Sequence, residues 1–143
     1  MNKKLLIFVD TDAFVAFVKE EDNTHERAKR ILLQLRYQQV TFITSNYVFL
    51  ESVTVISQKI NHQAAVSYID KMLSADNPYE LRRIDKEIDE QAIELFKKQT
   101  SKNTSFVDCT NMAFMQKMDI DAIFSFDEVY RKNGLQLVED IVY

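Results

Sequence analysis

The chain has 143 residues, 46% of them hydrophobic and 28% charged, which is enough for one substantial core and unlike a disordered tail. Its formal net charge of −4 excludes a strongly basic nucleic-acid coat, while local basic patches stay compatible with an enzyme acting on nucleic acid. A single glycine (Gly134) and a single proline (Pro78) exclude a glycine-rich phosphate loop, and the lone Cys109 excludes an internal disulfide and fits a reducing, cytoplasmic setting.

Met1-Asn2-Lys3-Lys4 ahead of the apolar Leu5 to Val9 imitates a signal peptide, but Asp10 closes the run after five residues, short of the usual ~7–15. No later stretch nears the ~18 apolar residues that span a bilayer, so a soluble chain with no membrane partner is expected. Leu5 to Val9 has the continuous apolar character of a strand buried on both faces. Asp12 is placed to cap a first helix carrying Phe14, Val15 and Val18. Ala28, Ile31, Leu32 and Leu35 then recur at helical spacing within a second helix over about Thr24 to Tyr37.

Val40 to Thr44 is β-branched and aromatic, as a strand requires. Ser45 or Asn46 opens a helix bearing Val48, Phe49, Val53 and Ile56, with Glu51 on its early turns. Asn61 caps a fourth helix that Asn77-Pro78 ends. Tyr79 to Ile84 alternates like a short strand, and Asp85 caps a helix with Ile88, Ala92, Leu95 and Phe96 on one face. Val107 to Met118 reads as a helix, Ala122 to Phe124 as a strand, Asp127 to Arg131 as one turn, and Leu135 to Val138 as an edge strand. Strands alternating with helices predict an α/β domain, one unit over 1–143, with a parallel sheet covered on both faces.

Such sheets bind ligands beyond the carboxyl ends of their strands. Asp10 directly follows the first strand, Asp127 closely follows the fourth, Glu51 lies on the helix after the second, and Asp108 sits at a helix start where the macrodipole favours negative charge. Two like charges about 4 Å apart repel by roughly 4 kcal/mol at an effective dielectric of about 20, so four gathered acids call for a cation. Hard oxygen ligands select Mg²⁺ or Mn²⁺. Phosphodiester hydrolysis needs an attacking water, charge neutralisation and leaving-group stabilisation, all of which metal ions held by carboxylates supply. No His or Lys stands near these acids as an evident general base.

The strings Phe8-Val9-Asp10-Thr11, Thr44-Ser45 with Glu51 beyond, Ser105-Phe106-Val107-Asp108 and Phe124-Ser125-Phe126-Asp127 with Gly134 beyond resemble a PIN-domain ribonuclease, in particular VapC-type toxins of toxin–antitoxin pairs. The resemblance runs from Asp10 to Leu137. It implies a three-layer α/β/α fold with a central, mostly parallel sheet of four to five strands. It implies a Mg²⁺- or Mn²⁺-dependent endoribonuclease with Asp10, Glu51, Asp108 and Asp127 as metal ligands, RNA as substrate, a cognate antitoxin and a homodimer. Asp12 replaces a residue that is often small and polar in such proteins, and the stretch from Glu51 to Asp108 is slightly long, so a PIN protein that is no toxin remains open.

Each residue also has a plainer reading. Asp10, Asp108 and Asp127 suit helix caps, and Glu51 suits a solvated helix face. Asp12 is expected as a cap or a group behind the ligands, as are Thr11, Ser125 and, one turn past Asp108, Asn111. His25 and His62 read as surface residues, Cys109 as core, Tyr47 as a possible base-stacking platform, and Arg131 and Lys132 as phosphate contacts. Two rival functions are a haloacid-dehalogenase-like phosphatase using Asp10 as nucleophile and Asp12 as acid/base, and an inactive PIN-like module that binds RNA or protein.

Overall fold

The computed structural model describes residues 4–142. Met1 to Lys3, on which the likeness to a signal peptide rests, lie outside the described residues, as does Tyr143. Among the described residues the order is β1 (Leu5–Val9), α1 (Thr11–Val18), α2 (His25–Leu35), β2 (Val40–Ser45), α3 (Asn46–Lys59), α4 (His62–Met72), β3 (Tyr79–Arg82), α5 (Lys86–Lys98), α6 (Phe106–Lys117), β4 (Ala122–Phe124) and α7 (Val129–Lys132). No described helix is long and apolar enough to cross a membrane.

The four described strands form one sheet in the order β3-β2-β1-β4, and every pairing is parallel. Chain direction across the sheet reverses at β1, which therefore marks the topological switch point. Residues paired in register share a face. Ile7, Val9, Phe42, Tyr79 and Phe124 lie on the side of α1, where Phe14 meets Tyr79 and Phe17 meets Phe124 edge-on. Phe8, Ile43 and Ile123 lie on the other side, where the Phe8 ring is 5.4 Å from that of Phe114 in α6. The uninterrupted apolar sequence of β1 is explained by this double cover. Phe8 is fully buried, and its truncation to Ala would cost about 3–5 kcal/mol.

The predicted edge strand at Leu135 to Val138 does not form. Only an isolated bridge joins Ile123 to Leu137, and a 3₁₀ turn follows at Val138–Asp140. The Asp140 carboxylate accepts the Leu137 amide at 3.2 Å, which takes that donor out of any ladder. Upstream, Gly134 adopts φ 81°, a left-handed conformation that ends α7 and suits glycine alone at low strain. Two smaller expectations also change. Asp10, not Asp12, caps α1, and β3 stops at Arg82 rather than Ile84. His25 is half-buried with Nδ1 2.6 Å from the Ala16 carbonyl, so it tethers α2 to α1, whereas His62 is exposed as read.

Candidate active site

Beyond the last residue of β1 the ladder continues by one bond, since the Asp10 amide donates to the Phe124 carbonyl at 3.1 Å. That bond pins the Asp10 backbone at the switch point, and its side chain turns back as the N-cap of α1, accepting from the Thr11 amide at 2.8 Å. Two further donors reach the same carboxylate. Asn111 Nδ2 donates to Oδ1 at 3.1 Å, and the Tyr130 hydroxyl lies 2.6 Å from Oδ2. Asp10 is only 6% exposed, and burial, then the charge of Asp12, pushes its carboxyl well above the usual range.

Asp108 is the third residue of α6 and closes a capping box. Ser105 Oγ accepts its amide at 3.0 Å, while its own Oδ2 accepts the Ser105 amide at 2.9 Å. The same residue thus ends a structural motif and offers its other oxygen, Oδ1, to the interior, 3.2 Å from the Tyr130 hydroxyl. Burial raises this carboxyl too, with the charge of Asp127 adding to the rise.

Asp127 lies just ahead of the short α7, and its carboxylate accepts the Val129 amide at 2.9 Å. Asp12 serves the same loop from the opposite side. Its Oδ2 accepts from Ser125 Oγ at 3.0 Å and from the Phe126 amide at 2.8 Å, fixing the segment after β4 against α1. Burial pushes the Asp12 carboxyl up to about 6, and its Oδ1 is buried with no hydrogen-bond partner among the described residues. Ser45 caps α3 by accepting the Val48 amide, which orients the helix so that Glu51, Val55 and Lys59 succeed one another on one face.

These elements surround a cavity of about 380 Å³ lined by Asp10, Asp12, Glu51, Asp108 and Asp127, together with Asp22, Thr24 and Lys59. All four acids singled out from the sequence therefore share one hollow, and Thr11 and Asp12 line it with them. Asn111 stands behind Asp10, and Ser125 Oγ donates to Asp12 and accepts the Asp127 amide at 3.1 Å. Among the described residues, none of the four forms an ion pair with Lys or Arg. Lys59 lines the cavity too, where it assists Thr24 in holding the Asp22 carboxyl below its usual range against burial.

The donor set is entirely oxygen and its charge is uncompensated, which suits a hard divalent cation. The described acids are gathered rather than closed: no three acidic, histidine or cysteine side chains already converge on a common point. Asp10 is held by three donors, while Glu51 is half-buried and Asp127 exposed.

Some sequence expectations fail here. Arg131 is engaged by Asp140, Glu139 and Glu128 and is not free for phosphate. The Tyr47 hydroxyl donates to Asp89 at 3.0 Å, so this ring is tied to α5 and does not line the cavity. Tyr130, by contrast, escaped the sequence reading, which treated the tyrosines mainly as core. Its signal was chemical: a tyrosine in a core position must find a partner for its hydroxyl, and Asp127 is three residues away.

Comparison with known proteins agrees with this geometry. The family described as PIN domain matches residues 7–134. Over 129 residues the chain is 31% identical to the 23S rRNA-specific endonuclease VapC20 of Mycobacterium tuberculosis, covering 90% of this chain and 95% of that one. The crystal structure of Mycobacterium tuberculosis VapC20, a sarcin-ricin loop cleaving toxin, superposes with a TM-score of 0.80 at 29% identity, again covering 90% and 95% of the two chains. VapBC2 from Rickettsia felis, solved on a DNA fragment from its promoter, shares the fold with a TM-score of 0.63 at 15% identity, covering 93% of this chain and 97% of that one.

Proposed function

The chain belongs to the PIN-domain family, and from that premise we propose that it is a divalent-metal-dependent endoribonuclease, with Mg²⁺ or Mn²⁺ held by Asp10, Glu51, Asp108 and Asp127. The observation that carries the assignment is the convergence of these four acids, from four separate parts of the chain, on one cavity without an ion-paired Lys or Arg.

When bound there, a divalent ion supplies charge neutralisation at the phosphate and a water acidic enough to attack it. The protein's part is placement. Asp10 is the fixed point, since the Thr11 amide, Asn111 and Tyr130 hold both of its oxygens. The capping box leaves Asp108 Oδ1 turned inward at a set position. Asp12 holds the loop that carries Asp127. Lys59 lines the same cavity further along α3 from Glu51 and meets a backbone phosphate of the RNA while the scissile one sits over the carboxylates.

We read residues 1–143 as one domain, supported by a single core cluster running from Ile7 to Val138. The reading extends to a role as toxin with a cognate antitoxin, to a homodimer and to a cytoplasmic location. Since the VapC20 relative is described as 23S rRNA-specific, ribosomal RNA is the first substrate to assay. The phosphatase alternative is disfavoured by Asp12, whose carboxylate is committed to the Phe126 amide and Ser125, away from an acid/base role beside Asp10.

The deciding experiment incubates purified protein with ribosomal RNA, DNA and p-nitrophenyl phosphate, with Mn²⁺ or EDTA, beside Asp10→Asn. RNA cleavage that requires metal and disappears in the variant is expected. Turnover of the small phosphate alone indicates a phosphatase, and RNA binding without cleavage by the wild type indicates an inactive module.

A further inference from the structure

Tyr130 is fully buried, yet its hydroxyl reaches two of the acids, 2.6 Å from Asp10 Oδ2 and 3.2 Å from Asp108 Oδ1. It accepts from Asn111 Nδ2 at 3.0 Å, and the same Asn111 nitrogen donates to Asp10 Oδ1 at 3.1 Å. Both amide protons of Asn111 are thereby used, which fixes the orientation of its amide: a flipped group would aim an oxygen at a carboxylate. The price is visible in Asn111 Oδ1, which is buried with no partner among the described residues. A fold tolerates an orphaned buried oxygen when the group carrying it is held for another purpose.

We propose that Tyr130, held by Asn111, is a positioning residue that sets the separation of Asp10 and Asp108 for binding a divalent cation. The inference rests on the reading of these acids as metal ligands. The phenol has one proton, directed most closely at Asp10 Oδ2 at 2.6 Å and shared with Asp108 Oδ1 at 3.2 Å. Asp10 comes from the end of β1 and Asp108 from the start of α6, with no direct bond between them among those described. A single rigid ring rooted in α7 therefore fixes two acids that repel each other, before any ion arrives. Partners of this kind behind metal ligands typically govern affinity by about 10–100-fold.

A purely packing role for Tyr130 predicts a different outcome from a positioning role, because the ring remains in Tyr130→Phe and only the hydroxyl is lost. The experiment compares the full-length wild type, Tyr130→Phe and Asp10→Asn by calorimetric titration with Mn²⁺, by metal-free thermal melting and by RNA cleavage. Tyr130→Phe is expected to weaken Mn²⁺ binding about 10–100-fold and to lower kcat at fixed Mn²⁺, with KM for RNA unchanged and the metal-free melt close to wild type. Mn²⁺ affinity and kcat within twofold of wild type overturn the inference. So does a loss of binding that is accompanied by collapse of the metal-free melt, which assigns Tyr130 to packing. If Asp10→Asn abolishes binding while Tyr130→Phe does not, only this inference falls. A wild type that binds no Mn²⁺ removes both it and the functional reading beneath it.

Discussion

Two clusters of carboxylates lie side by side near the C-terminal half of the sheet, and they are handled in opposite ways. In one, Glu128, Glu139 and Asp140 surround Arg131, and Arg27 adds a second guanidinium to Glu139 while covering the Phe126 ring at 4.9 Å. The Arg131 guanidinium holds the Asp140 carboxyl below its usual range. In the other, Asp10, Glu51, Asp108 and Asp127 share a cavity with no such ion pair, and burial drives Asp10 and Asp108 above the usual range. The boundary between the two runs through adjacent residues, Asp127 and Glu128. A fold that brings guanidinium to one cluster and withholds it from the next leaves the second for a cation from solution.

Asp10→Asn breaks this contrast most severely. Cleavage of RNA should fall by at least about two orders of magnitude, because an amide removes a charged ligand, while metal-free stability holds or rises, since Asn still caps a helix. Parallel kinetics and melting curves read both effects. Next, Mn²⁺ at about 100 times its Kd should stabilise the wild type by about 2.7 kcal/mol, visible as a melting shift of several degrees that Asp10→Asn abolishes and Arg131→Ala retains.

The two clusters should also respond to pH with opposite signs. Asp12, raised to about 6, holds more protons folded than unfolded between roughly pH 4 and 6, so its contribution to stability declines as pH rises through that window. Asp10, raised in the same direction, adds to the decline. Asp140 is lowered, so the stability it contributes is present above its unfolded value and is lost as pH falls through the folded one. The metal-free melting temperature should therefore drop between about pH 4 and 6, and Asp12→Asn should flatten that drop.

Lys59→Gln is expected to act more mildly. It should raise KM for RNA a few-fold and reduce the salt dependence of binding by about 0.7 in the log–log slope, as loss of one single-strand phosphate contact does. An unchanged slope would place Lys59 outside the RNA path. Smallest of all, Arg131→Ala should lower the melting temperature slightly, by an amount that shrinks at high salt, with cleavage unaffected.

Much of this was legible in the residues. The apolar run of Leu5 to Val9, the caps Ser45, Asn61 and Asp85, and the position of each acid after a strand or at a helix start follow from local chemistry. Where the reading slipped, a distant group intervened. Leu135 to Val138 has strand composition, but Asp140 captures an amide the ladder needed. Arg131 looked free in a basic pair until Glu139 and Asp140 folded back onto it. Asp12 looked like a cap, yet its partners lie 113 and 114 residues away at Ser125 and Phe126.

Sequence alone determined which segments become strands and helices and which acids end them, because periodicity and capping act within a few residues. It fell to tertiary structure to decide which carboxylates receive an arginine and which do not, and to set the Tyr130 hydroxyl between Asp10 and Asp108. Charge compensation and hydroxyl placement depend on distances of a few ångströms between residues far apart in the chain, and only the packing of helices on both faces of the sheet fixes those distances.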